Sequence, residues 1–158
     1  MAITRTARLA RMLDGSRPVV LSLPEAASQT FKVGDLVYMS SGYLTVCGAD
    51  PAKITGISKA DGHNDASNGT YNVDVLVITL NMLVAMQVYH STPANNVIEA
   101  ADRFKAYGIA VSSNTWYIDK TDTSATRCRI VEFRDALGAE NGVVHVQFFS
   151  ANLDLGGC

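Results

Sequence analysis

The stretch that decides the fold runs from Tyr107 to Phe149: YGIAVSSNTWYID (107–119), KTDTSAT (120–126), RCRIVEFRDA (127–136), LGAEN (137–141) and GVVHVQFF (142–149). It reads as strand, turn, strand, turn, strand. The first, third and last pieces are rich in Val, Ile, Trp, Tyr and Phe, and the connectors in Asp, Ser, Thr, Asn and Gly, which is the signature of antiparallel β-structure. Folding and turn chemistry account for nearly every residue here, so little is left over for catalysis.

The same grammar extends upstream. Pro18 and Pro24 bracket VVLSL, a short edge-type strand. FKVGDLVYMSSGYLTV (31–46) is a hairpin: Leu36 to Met39, a Ser40-Ser41-Gly42 turn in which Gly42 supplies positive φ, and Tyr43 to Cys47. KITGIS (53–58) is a strand, and KADGHNDASNGT (59–70) a solvated loop with turns at Asp61-Gly62 and Asn68-Gly69. From Tyr71, alternation through Val73, Val75 and Val77 gives way to apolar residues on both faces at Leu76, Ile78 and Leu80, as in a strand entering a core. Asn81-Met82 either bends the chain into a second run, LVAMQVYH, or lies in one bulged strand. PANNVIEAADRF (93–104) is the internal helix candidate, capped by Asn96 and Glu99, with Val97, Ala101 and Phe104 on one side. Residues 1–18 read as a basic arm with one or two helical turns.

The expected fold class is therefore all-β: a small β-barrel, β-tulip or sandwich of short antiparallel strands, with one short helix near 96–104 and an extended N-terminal arm. The expected organisation is an arm, 1–18, and a single β-rich domain, 19–158, with a short C-terminal tail. A chain of 158 residues can bury about two-thirds of its unfolded surface and needs neither metal nor disulfide to fold. Its net charge of -2 implies no global attraction to nucleic acid or an anionic membrane, and no run of 18 apolar residues exists. Charge is uneven: Arg5, Arg8, Arg11 and Arg17 outnumber Asp14 and Glu25 in the first 31 residues, while the remainder is acidic.

Candidate chemistry is sparse. Cys47, Cys128 and Cys158 lack metal-ligand spacing; the first two read as strand fillers and the last as an exposed terminus. His145 falls on the more polar face of VVHVQFF, and His90 precedes the Ser91-Thr92-Pro93 turn; neither belongs to a nucleophile motif. Asp61-Gly62-His63-Asn64-Asp65 alternates oxygen donors as calcium loops do, but the later bidentate Glu is missing, so it reads as an Asx-rich turn. Arg127, Arg129 and Arg134 form a local basic edge offset by Glu132 and Asp135, which suits edge protection better than nucleic-acid binding. Of Trp116 and Tyr117, one faces the core and the other the surface. The expectation is no catalytic, cofactor or metal residue.

Taken in order, the hairpin FKVGDLVYMSSGYLTV, then GIS, VDVLVITL, YGIAVSSNTWYIDKTD, CRIVEFRD and GVVHVQFF resemble the decoration, or cement, proteins of tailed bacteriophage capsids over residues 31–149. That resemblance implies a small β-barrel or β-tulip without catalytic residues. It also implies a place on the capsid exterior after synthesis in the host cytoplasm, the major capsid protein as partner, and a homo-oligomer, a trimer in preference to a dimer. The arm matches no motif of that family. Physics alone assigns it the contact: Arg5, Arg8, Arg11, Leu13 and Arg17 are expected to lie outside the β-domain and lock onto a neighbouring subunit or the capsid floor. The alternative from another class is a virion or cell-surface β-module for a glycan or receptor, which calls for exposed rings around a pocket. A small hydrolase would need Cys128 or Cys47 joined to His145 in one pocket.

Overall fold

A computed structural model describes residues 7–155 of the chain. Eleven strands follow one another: β1 (Arg8–Met12), β2 (Val20–Pro24), β3 (Leu36–Ser40), β4 (Tyr43–Val46), β5 (Gly56–Ser58), β6 (Asn72–Val77), β7 (Met82–Val88), β8 (Ala106–Ser112), β9 (Thr115–Asp119), β10 (Cys128–Phe133) and β11 (Val143–Phe148). The fold is all-β, as its alternating apolar runs dictate.

Five strands close into a small barrel in the order β7-β11-β10-β8-β9, and a short parallel pairing of Gln87 with Tyr117 and Val88 with Ile118 returns β9 to β7. Every residue of β7 is buried. One of its edges is taken by β11; the other is divided, β9 holding its end and β1 holding Met82 to Ala85. The barrel interior is filled by the inward residues of each strand, among them Val84, Met86, Ile109, Trp116, Ile118, Cys128, Ile130, Val144, Val146 and Phe148. Trp116 is buried and its indole N–H donates to the Gly48 carbonyl at 3.3 Å, while Tyr117 stays half-exposed against Tyr89, as strand alternation requires.

The second sheet has the order β2-β6-β5-β3-β4. Its two faces bury different things because neighbouring side chains point to opposite sides. Leu36 and Ile57 join the barrel core, whereas Val37, Val73 and Val75 close over Phe31 and Leu44 in a smaller core. The β3–β4 turn is a tight two-residue one: Ser41 and Gly42 have φ of 50° and 86°, the left-handed pair that a twisted hairpin needs. At Asn81-Met82 the chain bends out of one sheet into the other, so β6 and β7 are separate strands.

Three expectations are corrected. The arm does not stand apart from the β-domain over its described part: Arg8–Met12 is a strand, antiparallel to β7, with Ala7 buried and Leu9 and Met12 packed on the barrel core. A bulge between Leu9 and Arg11 turns both Leu9 and Met12 inward, so their helix-like spacing serves a strand. The helix near 96–104 is replaced by single 3-10 turns at Pro93–Asn95 and Ala100–Asp102. There the Asp102 carboxylate accepts the Glu99 N–H at 2.9 Å, closing a capping box one turn later than Asn96–Glu99, and Phe104 is exposed rather than inward. Finally, YGIAVSSNTWYID is two strands, β8 and β9, reversed at Ser113-Asn114, both with positive φ. Arg5, the first residues and Cys158 lie outside the described residues.

Candidate interaction surface

The described arm residues reach the surface by different routes. Arg11 lies across the outer face of the barrel and forms an ion pair with Glu132 of β10, which also accepts from the His145 ring at 3.1 Å. A β-bulge between Ile130 and Glu132 sets Glu132 in register with His145, and the bulge in β1 turns Arg11 outward. The Arg11 hydrogen bond, with the His145 bond behind it, holds the Glu132 carboxyl down at about 2. His145 is thus an interface residue inside the molecule, clamping the first strand to the last.

This clamp gives a pH dependence with a definite sign. Glu132 ionises in the folded chain well below its ordinary value of 4.5. Its contribution is complete above pH 4.5, fades as pH falls toward 2, and is absent below that. The Tm of the Glu132→Gln variant should lie below that of wild type at neutral pH. The two Tm curves should converge as pH approaches 2; a gap that persists there would place the effect outside this ion pair.

Arg8 and Arg17 are exposed and free to meet a partner. Leu13 is 42% exposed, and its N–H donates to the Asn81 carbonyl at 2.6 Å. The segment from Val77 to Asn81 ties further apolar residues to this corner, because the Val77 N–H donates to the Val19 carbonyl at 2.9 Å. Leu13, Val19, Val20, Leu21 and Leu80 are all exposed around it. Of the expected contact residues, Leu13 and Arg17 lie at this corner, Arg8 and Arg11 lie back along β1 and Arg5 is outside the described residues; the apolar company was missed, because Val19–Leu21 and Leu80 look like ordinary strand residues until the sheet edges are known.

Other chemistry-bearing groups are engaged separately. Burial pushes the thiols of Cys47 and Cys128 up, away from the thiolate a nucleophile needs, and their sulfurs lie nearest the Lys53 and Tyr107 carbonyls. Neither is joined to His145. His63 stacks on Tyr71 at 4.1 Å, and its ring and backbone nitrogens both meet the buried Glu25 carboxylate at 2.7 Å. This pins the 59–70 loop to the start of the second sheet. Asp61 bonds Lys32 and the Val33 N–H, and Asp65 bonds Ser67 and Thr70, so the alternating donors of the loop face different partners. His90 accepts the Thr92 N–H as a turn residue.

Buried Asp102 receives Lys120 at 2.7 Å, the Tyr107 hydroxyl at 2.7 Å and the Glu99 N–H. Burial opposes its ionisation, but these donors prevail and hold its carboxyl low. Asp50 is pushed up by burial and by the neighbouring Asp122, itself held down by the Ala125 N–H. A shallow cleft of about 440 Å³ runs along Tyr38, Ser40, Gly48, Pro51 and Lys53, with Tyr38 as its aromatic wall.

Arg129 lies over the Phe149 ring at 5.2 Å, and Arg103 over Phe133 at 4.8 Å, so both guanidinium groups serve rings on their own surface. No helix among the described residues is long and apolar enough to cross a membrane. No family model matches the chain, and no curated protein matches it.

Proposed function

We propose that this chain is a structural virion protein that binds the outer surface of a phage capsid and braces contacts between neighbouring capsomers. The major capsid protein is its partner, it works as a homo-oligomer, and it has no catalytic task. The observation that carries the reading is the corner where β1 leaves the barrel: exposed Leu13, Val19 and Leu80, with exposed Arg17 on the link between Leu13 and Val19. Apolar residues beside arginine make an interface composition, and arginine suits an acidic or carbonyl-rich partner. The order of strands from residue 31 to 149, similar to cement proteins, supports the same reading. So does the way the histidines and buried thiols are taken up in separate structural contacts. The single aromatic wall of the Tyr38 cleft gives a glycan platform less support than the exposed apolar corner gives a protein surface.

The test is co-sedimentation of the purified protein with undecorated mature particles of its phage. Wild type should saturate a fixed number of sites. Reversing Arg17 to Glu should weaken binding about fivefold at low salt, with the difference narrowing as salt rises. Failure of wild type to bind, or equal binding by the reversed variant, would overturn the reading or its assignment to this corner.

A further inference from the structure

The free edge of β2 carries information that the capsid reading does not use. β2 pairs with β6 in the register Val20 with Leu76, Leu21 with Val75, Ser22 with Asp74 and Leu23 with Val73. The hydrogen bonds at either end set the phase of this ladder: the Val77 N–H meets the Val19 carbonyl, and the Glu25 N–H meets the Tyr71 carbonyl. In an antiparallel pair the residues that exchange bonds alternate with those that do not. Val19, Leu21, Leu23 and Glu25 therefore turn their backbone groups toward β6. Val20 and Ser22 turn theirs away from it.

Toward Pro24 and beyond it the outward side is shared with β4: the Ala26 N–H donates to the Leu44 carbonyl, and Glu25 bridges Leu44. At Val20 and Ser22, no such partner occurs among the described residues. Val20 is 44% and Leu21 38% exposed. Residues 18–24, PVVLSLP, contain no charge, so the usual guard on an edge strand is missing. Proline stands at each end and limits pairing to the window between.

We infer that this edge is a docking site for a second copy of the same chain, joined through β2 to β2 across a two-fold axis at Leu21. The choice of occupant follows from the phase. With Leu21 opposite Leu21 of the second copy, Val20 meets Ser22 and Ser22 meets Val20. Both members of each pair then present an N–H and a carbonyl to the other, as an exchanging pair requires. Val19 then falls opposite Leu23, and proline opposite proline, where the ladder stops. The arrangement is isologous, so it closes at two copies and leaves no free β2 edge. The absence of charge means that the copies do not repel, and like residues can sit face to face. The joined sheet would have ten strands, continuous across both molecules. The two-fold contact is a property of the free chain and stands whether or not a capsid is its target. The resemblance implies a trimer in preference to a dimer, whereas the contact inferred here is two-fold.

Sedimentation velocity of the full chain across a concentration series tests it, with no particle present. Wild type should show a monomer–dimer equilibrium with little salt dependence. Ser22→Pro removes an N–H that the monomer does not use, so circular dichroism and Tm should stay close to wild type. The dissociation constant should rise about thirtyfold, for two lost hydrogen bonds per dimer. Leu21→Lys, which sets like charges opposite each other, should also give monomers. Ser22→Ala should remain a dimer. A wild type that stays monomeric throughout would overturn the inference. So would a folded Ser22→Pro variant that associates like wild type, since some other surface would then join the copies.

Discussion

Excision of residues 2–13 should lower the Tm by at least about 10 °C, or leave a chain that does not fold. The reason lies in β7. All of its residues are buried, and β1 completes the part of its edge that β9 does not reach. Without β1, the backbone groups of Met82 to Ala85 lose their partners on that side. Ala7, Leu9 and Met12 also leave the core that they cover. Burial of Ala7 and partial burial of Leu9 and Met12 are worth on the order of 3 kcal/mol, to which the lost ladder hydrogen bonds add, a large part of the net stability of a domain this size. The Arg11–Glu132 ion pair adds specificity of placement rather than much energy, because it is exposed. Differential scanning calorimetry of the excised chain gives the answer. An unchanged Tm would mean that β1 is an outlying arm after all.

The second large effect is expected at Gly56. It sits in β5, between β3 and β6, in the middle of the second sheet. A Cβ there would fall inside the van der Waals shell of the Leu76 carbonyl oxygen and lie 2.8 Å from Val75 Cγ1. A side-chain tip could swing aside, but a backbone carbonyl in a hydrogen-bonded ladder cannot do so without opening the ladder. Gly56→Ala should therefore cost about 3 kcal/mol, at the upper end for overpacking, and lower Tm by about 6–12 °C. Gly42→Ala is the useful contrast: nothing stands within 4 Å of its Cβ, and the cost there is the left-handed φ alone. Equal losses at the two sites would show that the second sheet yields more readily than its packing implies.

The parts of the fold that the sequence displayed are those whose strands keep a strict period of two. The hairpin at Ser41-Gly42, the run from Tyr71 to Val77, and the closing strand Val143–Phe148 are of this kind. Their outward and inward residues alternate, and turn residues separate them. The first strand escaped because its bulge breaks that period. Arg8 and Arg11 point out and Leu9 and Met12 point in, three residues apart, which on paper is a helix pattern. The helix at 96–104 misled for the opposite reason. Glu99 does cap, but with Asp102 and not with Asn96; Phe104 stands at φ 63° and Ile98 goes into the core, so the chain turns and does not wind. The candidate surface was half legible. Arg17 and Leu13 can be read locally, while the exposure of Val19 to Leu21 depends on which edge of which sheet β2 occupies. The Glu25–His63–Tyr71 cluster joins residues from three separate segments, and no spacing rule could have gathered it.

The divided edge of β7 also sets an order of events during synthesis. β2 through β6 are contiguous in the chain, so the second sheet can assemble as soon as residue 77 is available. β1, made before all of them, has no partner until Met82 to Ala85 have emerged. β1 must therefore wait, uncombined, while a later-made sheet forms beside it. Its arginines keep the waiting strand in water, and its seating belongs to the closing steps of folding, when non-local pairing is slowest.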